Sequence, residues 1–324
     1  MPARRRTSGS ARRPRSASRS WSLAIHGGAG DPPRGAGARE AEQARRTVLG
    51  EVLAAGARSL AAGAASVDVV EEAVRALEDS PLFNAGKGAV FNARGEHELE
   101  ASIMDGRTLA AGAVANLRGI KNPVTLARWV MERTPHVYLE GDGAIVFARE
   151  QGMALVAPDY FWTEESSSAL ESSPRGANAR RSTQVDGTVG AVALDARGDL
   201  AAATSTGGTA RKLPGRVGDS SVIGAGTYAS NASCAVSCTG LGEYFIRAAA
   251  ARDICALVEY AGLAVHEAAS RVLRKIARLG GRGGAIVVDR RGGVACPFNA
   301  GLMYRGVVTR SGPIRTSARR TPAL

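Results

Sequence analysis

The 324-residue sequence is poor in the side chains that most often identify an active site. It has four histidines and four cysteines, and aromatic residues make up 5% of the chain. The histidines form none of the H-x3-H or H-x-x-E-H patterns of zinc sites; they are His26, His97, His136 and His266. The number of histidines is compatible with a Ser-His-Asp site, but the sequence has no G-x-S-x-G motif to indicate a nucleophilic serine. Zinc catalysis therefore finds little support.

Long apolar runs and cofactor motifs are also missing. No run approaches 18 apolar residues, so no membrane span is predicted. The glycines of "HGGAG" lack the G-K-[ST] and G-x-G-x-x-G contexts of phosphate-binding loops, which disfavours a phosphate-binding module. The cysteines lie late in the chain, at Cys234, Cys238, Cys255 and Cys296. With no apolar signal segment, they predict reduced, packed thiols and a cytoplasmic protein without cysteine-bound metal.

Positive charge is present in excess but is unevenly placed. The net charge is +12, yet residues 1–20 hold seven arginines without an acid and residues 305–324 hold five, so the middle of the chain is neutral. The Arg-, Ser- and Pro-rich residues 1–20 predict a disordered arm, and about 306–324 a basic tail. The arm is read either as an over-extended reading frame or as an electrostatic tether. A protein that binds nucleic acid or acidic surfaces through these tails stays an alternative.

The apolar pattern predicts a mixed α/β fold. A strand over Leu23–His26 precedes helices over Glu40–Ala62 and from Ser66, which is predicted as an N-cap. Further helices begin at Asn122-Pro123 and Asp142, and a polar linker covers about 166–187. Behind it come the strands "TVGAVALD", "DLAAATST", "SVIGAG" and "ASCAVSC", helices over about 241–260 and 263–279, and more strands. Sheets packed together with helices outside fit this order better than one doubly wound sheet.

The stretch "VDGTVGAVALD" places Thr188 between glycines at the mouth of a buried strand. Gly187 permits a backbone twist in which the Thr188 hydroxyl can attack its own preceding carbonyl. Hydrolysis of the resulting ester leaves Thr188 as a new chain start, with an α-amine whose ordinary pKa of about 7.7 to 8.0 suits a general base. One residue then supplies both nucleophile and base. Thr is also a good strand former, so its neighbours decide between the two interpretations.

Those neighbours resemble the plant-type asparaginase, or isoaspartyl peptidase, family of N-terminal nucleophile hydrolases. The similarity covers about residues 21–305 and rests on ten motifs in the family's order. They are "IHGGAG", "PLFNAGKGAVFN", "HELEASIMDG", "NPVTLARWVME", "TPHV", "GTVGAVALD", "AATSTGG", "LPGRVGDS", "SCTGLGE" and "PFNAGLMYR". The resemblance implies a four-layer αββα sandwich that cleaves itself into an α chain, 1–187, and a β chain, 188–324.

The resemblance also implies roles for individual residues. Thr188 would be the nucleophile, with Gly187-Thr188 as the cleavage site, and Thr206 would orient it. Arg216 would hold the substrate α-carboxylate and Asp219 the α-ammonium group. Thr239 and Gly240 would form the oxyanion hole, and Asn84 would lie near the nucleophile. The implied substrate-binding residues are Arg216, Val217, Gly218, Asp219, Thr239, Gly240 and Gly242.

The family's loop over residues 77–87 implies a structural sodium ion and no organic cofactor. Its carbonyl ligands would come from Leu77, Glu78, Ser80, Phe83, Ala85 and Lys87. Lys87 stands where an aliphatic residue is common, and a cation beside the loop would weaken the site. Arg211 replaces a frequent Asn, and Ser221 replaces a Pro and is expected to be neutral. Leu241 replaces a polar residue and is expected to affect the preference between free asparagine and β-aspartyl peptides.

The activity implied is hydrolysis of L-asparagine and of β-aspartyl dipeptides through an ester on Thr188, by two processed protomers paired as (αβ)2. Glycosylasparaginase is a rival with the same fold and nucleophile. It usually carries D-T-I-G and a secretion signal, whereas this chain has Gly187 before the threonine and no apolar signal segment.

Overall fold

The structure is a computed structural model that describes residues 20–33, 35–172 and 187–320. Residues 1–19 of the predicted arm and 173–186 of the predicted linker lie outside the described residues. The strands are β1 (Ser22–Gly30), β2 (Leu99–Asp105), β3 (Ala111–Leu117), β4 (Tyr138–Glu140), β5 (Val189–Leu194), β6 (Leu200–Thr206), β7 (Thr227–Ala229), β8 (Cys234–Gly240), β9 (Gly283–Asp289), β10 (Val294–Ala295), β11 (Leu302–Thr309) and β12 (Arg315–Ser317). The α-helices are α1 (Ala38–Ala61), α2 (Ser66–Glu78), α3 (Pro123–Arg133), α4 (Gly141–Glu150), α5 (Glu164–Ser172), α6 (Gly242–Ala248), α7 (Ala250–Ala261) and α8 (Val265–Arg278).

Two sheets stack face to face, with helices on both outer faces. The larger sheet has the order β12-β11-β1-β5-β6-β2-β3-β4, and the smaller has the order β10-β9-β8-β7. One apolar cluster joins helices α1, α2 and α3 to the larger sheet, a second joins α7 and α8 to the smaller sheet, and a third lies between the sheets. The predicted four-layer αββα sandwich is confirmed.

Strands β5 and β6 lie at the centre of the larger sheet, and every residue in both is buried. Strands covered on both faces read as continuous apolar runs rather than alternating ones. Their small residues, such as Ala191, Ala202 and Ala203, let the layers on either side approach closely. The polar residues that interrupt these runs are therefore buried and must find partners inside the molecule.

Several local predictions need correction. Ser66 is the first residue of α2 rather than its N-cap; its N–H is bonded by the Asp195 carboxylate at 3.0 Å, so a distant side chain does the capping. The helix predicted over 241–260 is broken at Ala249, which has a φ of 47°. The predicted strand "SVIGAG" is a turn, closed by N–H groups of residues 225 and 226 on the Val222 carbonyl.

Two segments expected to be irregular carry regular structure. The first part of the predicted linker forms α5, whose Ser166 and Ala169 are buried. Residues 306–317 of the predicted basic tail lie in β11, β12 and the turn between them, where β12 pairs with β11 and Arg305 is buried. Arg310 and Arg315 interrupt the apolar pattern there, and β12, which lies at the edge of the sheet, needs few apolar residues. Within the described residues, no helix has the length and apolarity needed to cross a membrane.

Candidate active site

Thr188 lies directly before β5 and is buried to 5% exposure. Strands β5 and β6 pair antiparallel, with Val189 opposite Ser205, so the next position brings Thr188 opposite Thr206. The Thr188 hydroxyl donates to the Thr206 hydroxyl oxygen at 3.0 Å. Gly187 and Thr188 are joined in the structure, which is that of the uncleaved chain. The two threonines that the sequence selected therefore meet at the end of the central strands.

Thr206 is itself held by Asn84 and by the turn that follows β6. Its hydroxyl donates to the Asn84 carbonyl at 3.3 Å and accepts the Gly208 N–H at 3.0 Å. The Asn84 amide donates to the Gly208 carbonyl at 2.6 Å, and its oxygen accepts the Val90 N–H. The Asn84 side chain thus fixes the 207–208 turn and acts on Thr188 through Thr206.

Gly187 packs directly on Asn84. A Cβ at position 187 would lie 2.9 Å from the Asn84 nitrogen, which a side chain tolerates poorly. A cavity of about 210 Å³ borders Gly187. Its lining residues are Gly27, Arg45, Pro81, Leu82, Phe83, Asn84, Gly88, Val90, Glu165, Ser166, Ala169, Gly187, Ala210 and Tyr304. The predicted scissile residue therefore has backbone on one side and open space on another.

The loop between β6 and β7 brings the two predicted substrate charges together. Arg216 donates from Nε to the Glu243 carboxylate at 3.0 Å, while Asp219 is buried with its Oδ2 unbonded by any described residue. A Cβ on Gly242 would lie 2.8 Å from Asp219 Oδ1 and 3.0 Å from Arg216 Nη2. Both charged groups thus reach the same point, and a glycine leaves that point empty. Val217 is half-buried beside them.

Burial controls the ionisation of this pair. It raises the pKa of Asp219 to about 7; the Glu100 carboxylate adds to that rise and Arg216 opposes it. For Arg216, burial acts to lower the pKa, but the carboxylates of Glu243 and Glu100 outweigh it and raise the pKa. A cation placed against Asp219 would favour its charged form, because an opposite charge stabilises a carboxylate. The site is therefore poised to gain a charge when an ammonium group arrives.

The predicted oxyanion hole lies at the end of β8. Thr239 is 1% exposed, and its hydroxyl is bonded by no described residue. Gly240 has a φ of +136°, and a Cβ there would lie 2.3 Å from the Arg282 carbonyl. Buried polar atoms are nearly always hydrogen-bonded, so unpartnered atoms at Thr239 and Asp219 are what a ligand-binding site leaves for its ligand.

His26 ties the nucleophile to the smaller sheet, a role that the sequence did not predict. Its Nδ1 lies 3.0 Å from the Thr188 carbonyl, which can only accept, so Nδ1 carries the proton. Its Nε2 then accepts from the Ser237 hydroxyl at 2.9 Å. Burial lowers the pKa of His26 to about 3, so the ring stays neutral.

The register explains how Ser237 reaches that ring. His26, Gly190, Thr204 and Ser102 stand opposite one another on four adjacent strands. A Cβ on Gly190 would lie 2.0 Å from Ser237 Oγ. Because Gly190 has no side chain, Ser237 of the smaller sheet can contact this row of four residues. From there, hydroxyl contacts of 2.6 to 2.8 Å run through Thr204 and Thr227 to Ser102 and the Ser220 carbonyl.

Glu100, Lys212 and Glu243 also line the site without having been predicted. Glu100 stands opposite Thr206 across β2 and β6, one row along from Ser102. A signal existed: Glu98, just before β2, and Glu100 and Ser102 within it alternate with the apolar residues Leu99, Ala101 and Ile103. Alternation shows that such residues share a face, but it does not show which loop that face meets.

The predicted sodium loop presents carbonyl oxygens to glycines. A Cβ on Gly86 would lie 2.3 Å from the Glu78 carbonyl, and one on Gly88 would lie 2.2 Å from the Phe83 carbonyl. The Leu77, Phe83 and Ala85 carbonyls each accept one backbone N–H within the loop, which leaves each a second lone pair. Lys87 extends its ammonium group over the Tyr160 ring, 5.5 Å from the centroid. Hard oxygen donors of this kind suit an alkali cation.

Within the described residues, no group of three or more His, Cys, Asp or Glu side chains is arranged to hold a metal ion. The four cysteines are buried and free, and Cys234 and Cys255 lie with their sulfurs 3.3 Å apart.

Comparison with known proteins identifies the family. The asparaginase family profile matches residues 19–317. The isoaspartyl peptidase of Salmonella typhimurium is 53% identical over 292 residues, which cover 87% of this chain and 93% of that protein. The probable isoaspartyl peptidase/L-asparaginase 2 of Arabidopsis thaliana is 42% identical over 90% of this chain and 97% of its own length. The human isoaspartyl peptidase/L-asparaginase is 45% identical over 83% and 87%. The chain belongs to the asparaginase family.

Proposed function

We propose that this protein hydrolyses the side-chain amide of L-asparagine and the isoaspartyl bond of β-aspartyl dipeptides after cleaving itself before Thr188. The observation that carries the proposal is the meeting of Asp219 Oδ1 and Arg216 Nη2 at one point beside Gly242, on a site whose nucleophile candidate bonds Thr206. Opposite charges converging there match the α-ammonium and α-carboxylate groups of an amino acid. The names of the relatives point to the same substrates.

In the first step, the Thr188 hydroxyl attacks the Gly187 carbonyl carbon, the carbon–nitrogen bond breaks and the proton passes to the freed amine. Water then hydrolyses the ester and leaves a carboxylate on Gly187. The bond from His26 to the Thr188 carbonyl holds the strand while this happens, because its anchor lies on the far side of the scissile bond. The packing of Gly187 on Asn84 limits the orientations open to that peptide.

In turnover, the Thr188 amine takes the proton from the hydroxyl as the oxygen attacks the substrate amide carbon. The Thr239 hydroxyl and the Gly240 N–H stabilise the negative oxygen that forms. Ammonia, or the amino end of a second residue, leaves with that proton and a β-aspartyl ester remains on Thr188. Water cleaves the ester and releases aspartate. Thr206 orients the nucleophile as a positioning residue, since its hydroxyl bonds Thr188 directly.

Intact mass of the purified protein tests this scheme. Wild type is expected as two chains, the second beginning at Thr188, with ammonia released from L-asparagine. Thr188→Ala is expected to stay whole and inactive, whereas Thr188→Ser keeps a hydroxyl and is expected to cleave. A wild-type chain that remains whole while releasing ammonia would refute the scheme. Turnover of a glycosylated asparagine alone, or salt-dependent DNA retention without asparagine turnover, would favour the rival functions.

The proposal includes a structural sodium ion held by the carbonyls of the 77–87 loop, with no organic cofactor. Its support is the oxygen cradle closed by Gly86 and Gly88. Sodium would stiffen the segment that carries Asn84 into the site. Thermal unfolding is expected at higher temperature in sodium chloride than in tetramethylammonium chloride of equal ionic strength. An equal transition in the two salts would remove the ion from the proposal.

An (αβ)2 assembly and a cytoplasmic location complete the proposal. The assembly follows from the family, and the free buried thiols support a reducing compartment. Light scattering of the processed protein tests the assembly: a mass of two processed protomers is expected, and a mass of one would contradict it.

A further inference from the structure

A buried carboxylate stands behind the substrate-binding loop. Glu100 is 1% exposed, and its two oxygens accept the Gly218 N–H at 2.9 and 3.0 Å. The Ser221 hydroxyl donates to the same carboxylate at 2.7 Å. The Tyr138 hydroxyl in turn donates to Ser221 at 2.7 Å. Glu100 thus holds both ends of the four-residue segment 218–221 that contains Asp219, and Tyr138 fixes the bond that does so.

Glu100 is also the inner counter-charge of Arg216. The nearest atoms of the two groups are 3.9 Å apart, and a Cβ on Gly218 would lie 2.8 Å from Glu100 Oε1 and 2.7 Å from Arg216 Nη1. The outer counter-charge, Glu243, bonds Arg216 at 3.0 Å but is 58% exposed. An incoming carboxylate can displace an exposed side chain. A buried carboxylate held by two donors, the Gly218 N–H and the Ser221 hydroxyl, stays in place.

Charge is balanced inside the loop by the same residue. Lys212 is 5% exposed, and its ammonium group donates to the Glu98 carbonyl at 2.7 Å. Burial acts to lower the pKa of Lys212, and the Glu100 carboxylate opposes that effect. A Cβ on Gly208 would lie 3.0 Å from the Lys212 nitrogen and 3.3 Å from Arg216 Nη1, so the two cations border one glycine. Without Glu100, no buried carboxylate would offset the repulsion between Lys212 and Arg216 across Gly208.

We propose that Glu100 is the fixed counter-charge that orients Arg216 and Asp219 for the α-carboxylate and α-ammonium groups of an amino-acid substrate, with Ser221 and Tyr138 locking it in place. This inference rests on the proposed function, and it makes Glu100 a positioning residue. It also gives Ser221 a purpose: the hydroxyl that stands where a proline was expected is the second donor to Glu100.

The positioning role of Glu100 predicts a change in pH dependence that a merely structural role would not cause. Four groups face Asp219: Glu100 from β2, Glu243 from α6, Cys238 from β8 and Arg216 from its own loop. Among the nearby charges, Glu100 is the largest contributor to the raised pKa of Asp219, after burial itself. Neutralising Glu100 would therefore let Asp219 ionise at lower pH. A variant that loosens the loop but keeps the Glu100 charge would not shift the ionisation of Asp219 in this way.

The experiment compares Glu100→Gln, Ser221→Ala and the control Glu132→Gln, whose side chain pairs with Arg128 one turn away on α3. For Glu100→Gln, KM for L-asparagine is expected to rise by about tenfold or more with kcat changed less, since a lost charge-assisted contact is worth about 1.5 to 3 kcal/mol. The acid limb of kcat/KM is expected to move to lower pH. Ser221→Ala is expected to raise KM by a few fold and leave the limb in place.

Wild type and Glu132→Gln report the proposed function itself: if neither releases ammonia, the proposed function is refuted whatever the Glu100 variants do. If both are active and Glu100→Gln keeps the wild-type KM and acid limb, the positioning role is refuted. Should Glu100→Gln fail to yield folded, cleaved protein, Ser221→Ala decides, because an unchanged KM in that variant would remove the loop anchor. A fall in kcat at constant KM would also overturn the inference.

Discussion

Glycines at single positions decide how closely charged groups and sheets approach in this site. Gly242 keeps empty the point at which Asp219 and Arg216 converge, and Gly190 admits Ser237 to the row beneath the nucleophile. Neither glycine needs a left-handed backbone, so its value is the absence of a side chain. The sequence motifs contain both residues, but only the packing shows which neighbour each one admits.

Adding a methyl group at Gly242 is expected to block substrate rather than folding. Its Cβ would lie 2.8 Å from Asp219 Oδ1, at the first residue of α6, where alanine suits the helix. Gly242→Ala is expected to cleave itself normally and to bind L-aspartate about tenfold or more weakly, as one lost charge-assisted contact implies. Calorimetric titration measures this.

Gly50→Ala is the matched control, because its Cβ would meet nothing within 4 Å inside α1. It should bind L-aspartate as wild type does. Equal affinity in the Gly242 and Gly50 variants would show that amino acids bind elsewhere.

The ionisation of Asp219 predicts how that affinity changes with pH. Burial raises the pKa of Asp219 to about 7, and only the charged carboxylate attracts an ammonium group. Affinity for L-aspartate is therefore expected to be full above pH 7 and to fall below it, by up to about tenfold per pH unit for one linked proton. The Thr188 amine also titrates in this range, so the profile of Asp219→Asn is compared with that of wild type to isolate the contribution of Asp219. Asp219→Asn should bind weakly with no such trend, and a flat wild-type profile from pH 8 to 5.5 would contradict the assignment.

At the scale of elements, the layers could be predicted from the sequence and the contacts between layers could not. Strand β5 and the first half of β6 are apolar, which marks them as central, and α2 and α8 show clear apolar faces. The Asp195 cap of α2, by contrast, comes from 129 residues away. The break at Ala249 depends on how two helices pack on the smaller sheet. Partners of this kind are set by tertiary packing, which local propensity does not encode.

The site residues also fall into two groups, those that the sequence motifs predicted and those that only the structure revealed. Thr188, Thr206, Arg216 and Asp219 could be selected because motifs carry them, and the structure brings them into one region. His26 and Glu100 act through residues far away in sequence, so no local pattern indicated their partners. The sequence did not predict α5, because the helix is mostly polar and its buried residues, Ser166 and Ala169, are small.

Packing between β5 and β8 gives an element-scale prediction. Gly190→Ala would put a Cβ 2.0 Å from Ser237 Oγ and 2.4 Å from His26 Nε2, atoms fixed by the row around them. The two sheets would have to separate, and overpacking of this kind lowers the free energy of unfolding by about 1–3 kcal/mol. Self-cleavage is expected to slow as well, because Thr188 is anchored through the same His26. Urea unfolding and intact mass measure the two effects.

The control for that variant is Gly143→Ala, in the exposed interior of α4, where a Cβ meets nothing within 4 Å. It is expected to leave cleavage unchanged and to stabilise slightly, by about 0.5–1 kcal/mol. Normal stability and cleavage in Gly190→Ala would show that the sheets have more room than the geometry allows.

For the whole molecule, the neutral ring of His26 between the two sheets makes stability depend on acid. Burial lowers the pKa of His26 to about 3, whereas the unfolded chain has the ordinary value of 6.5. The contribution of the neutral His26 ring to the free energy of unfolding is therefore complete above pH 6.5. It is lost as pH falls toward 3, at up to about 1.4 kcal/mol per pH unit. His26→Gln is expected to be less stable at pH 7 but to lose less on acidification, and exposed His136→Gln should follow wild type. Urea unfolding at pH 7, 6, 5 and 4 gives the three slopes. The difference between wild type and His26→Gln isolates this ring from the other titrating groups, so parallel slopes would mean that His26 is not the group through which acid separates the nucleophile from the smaller sheet.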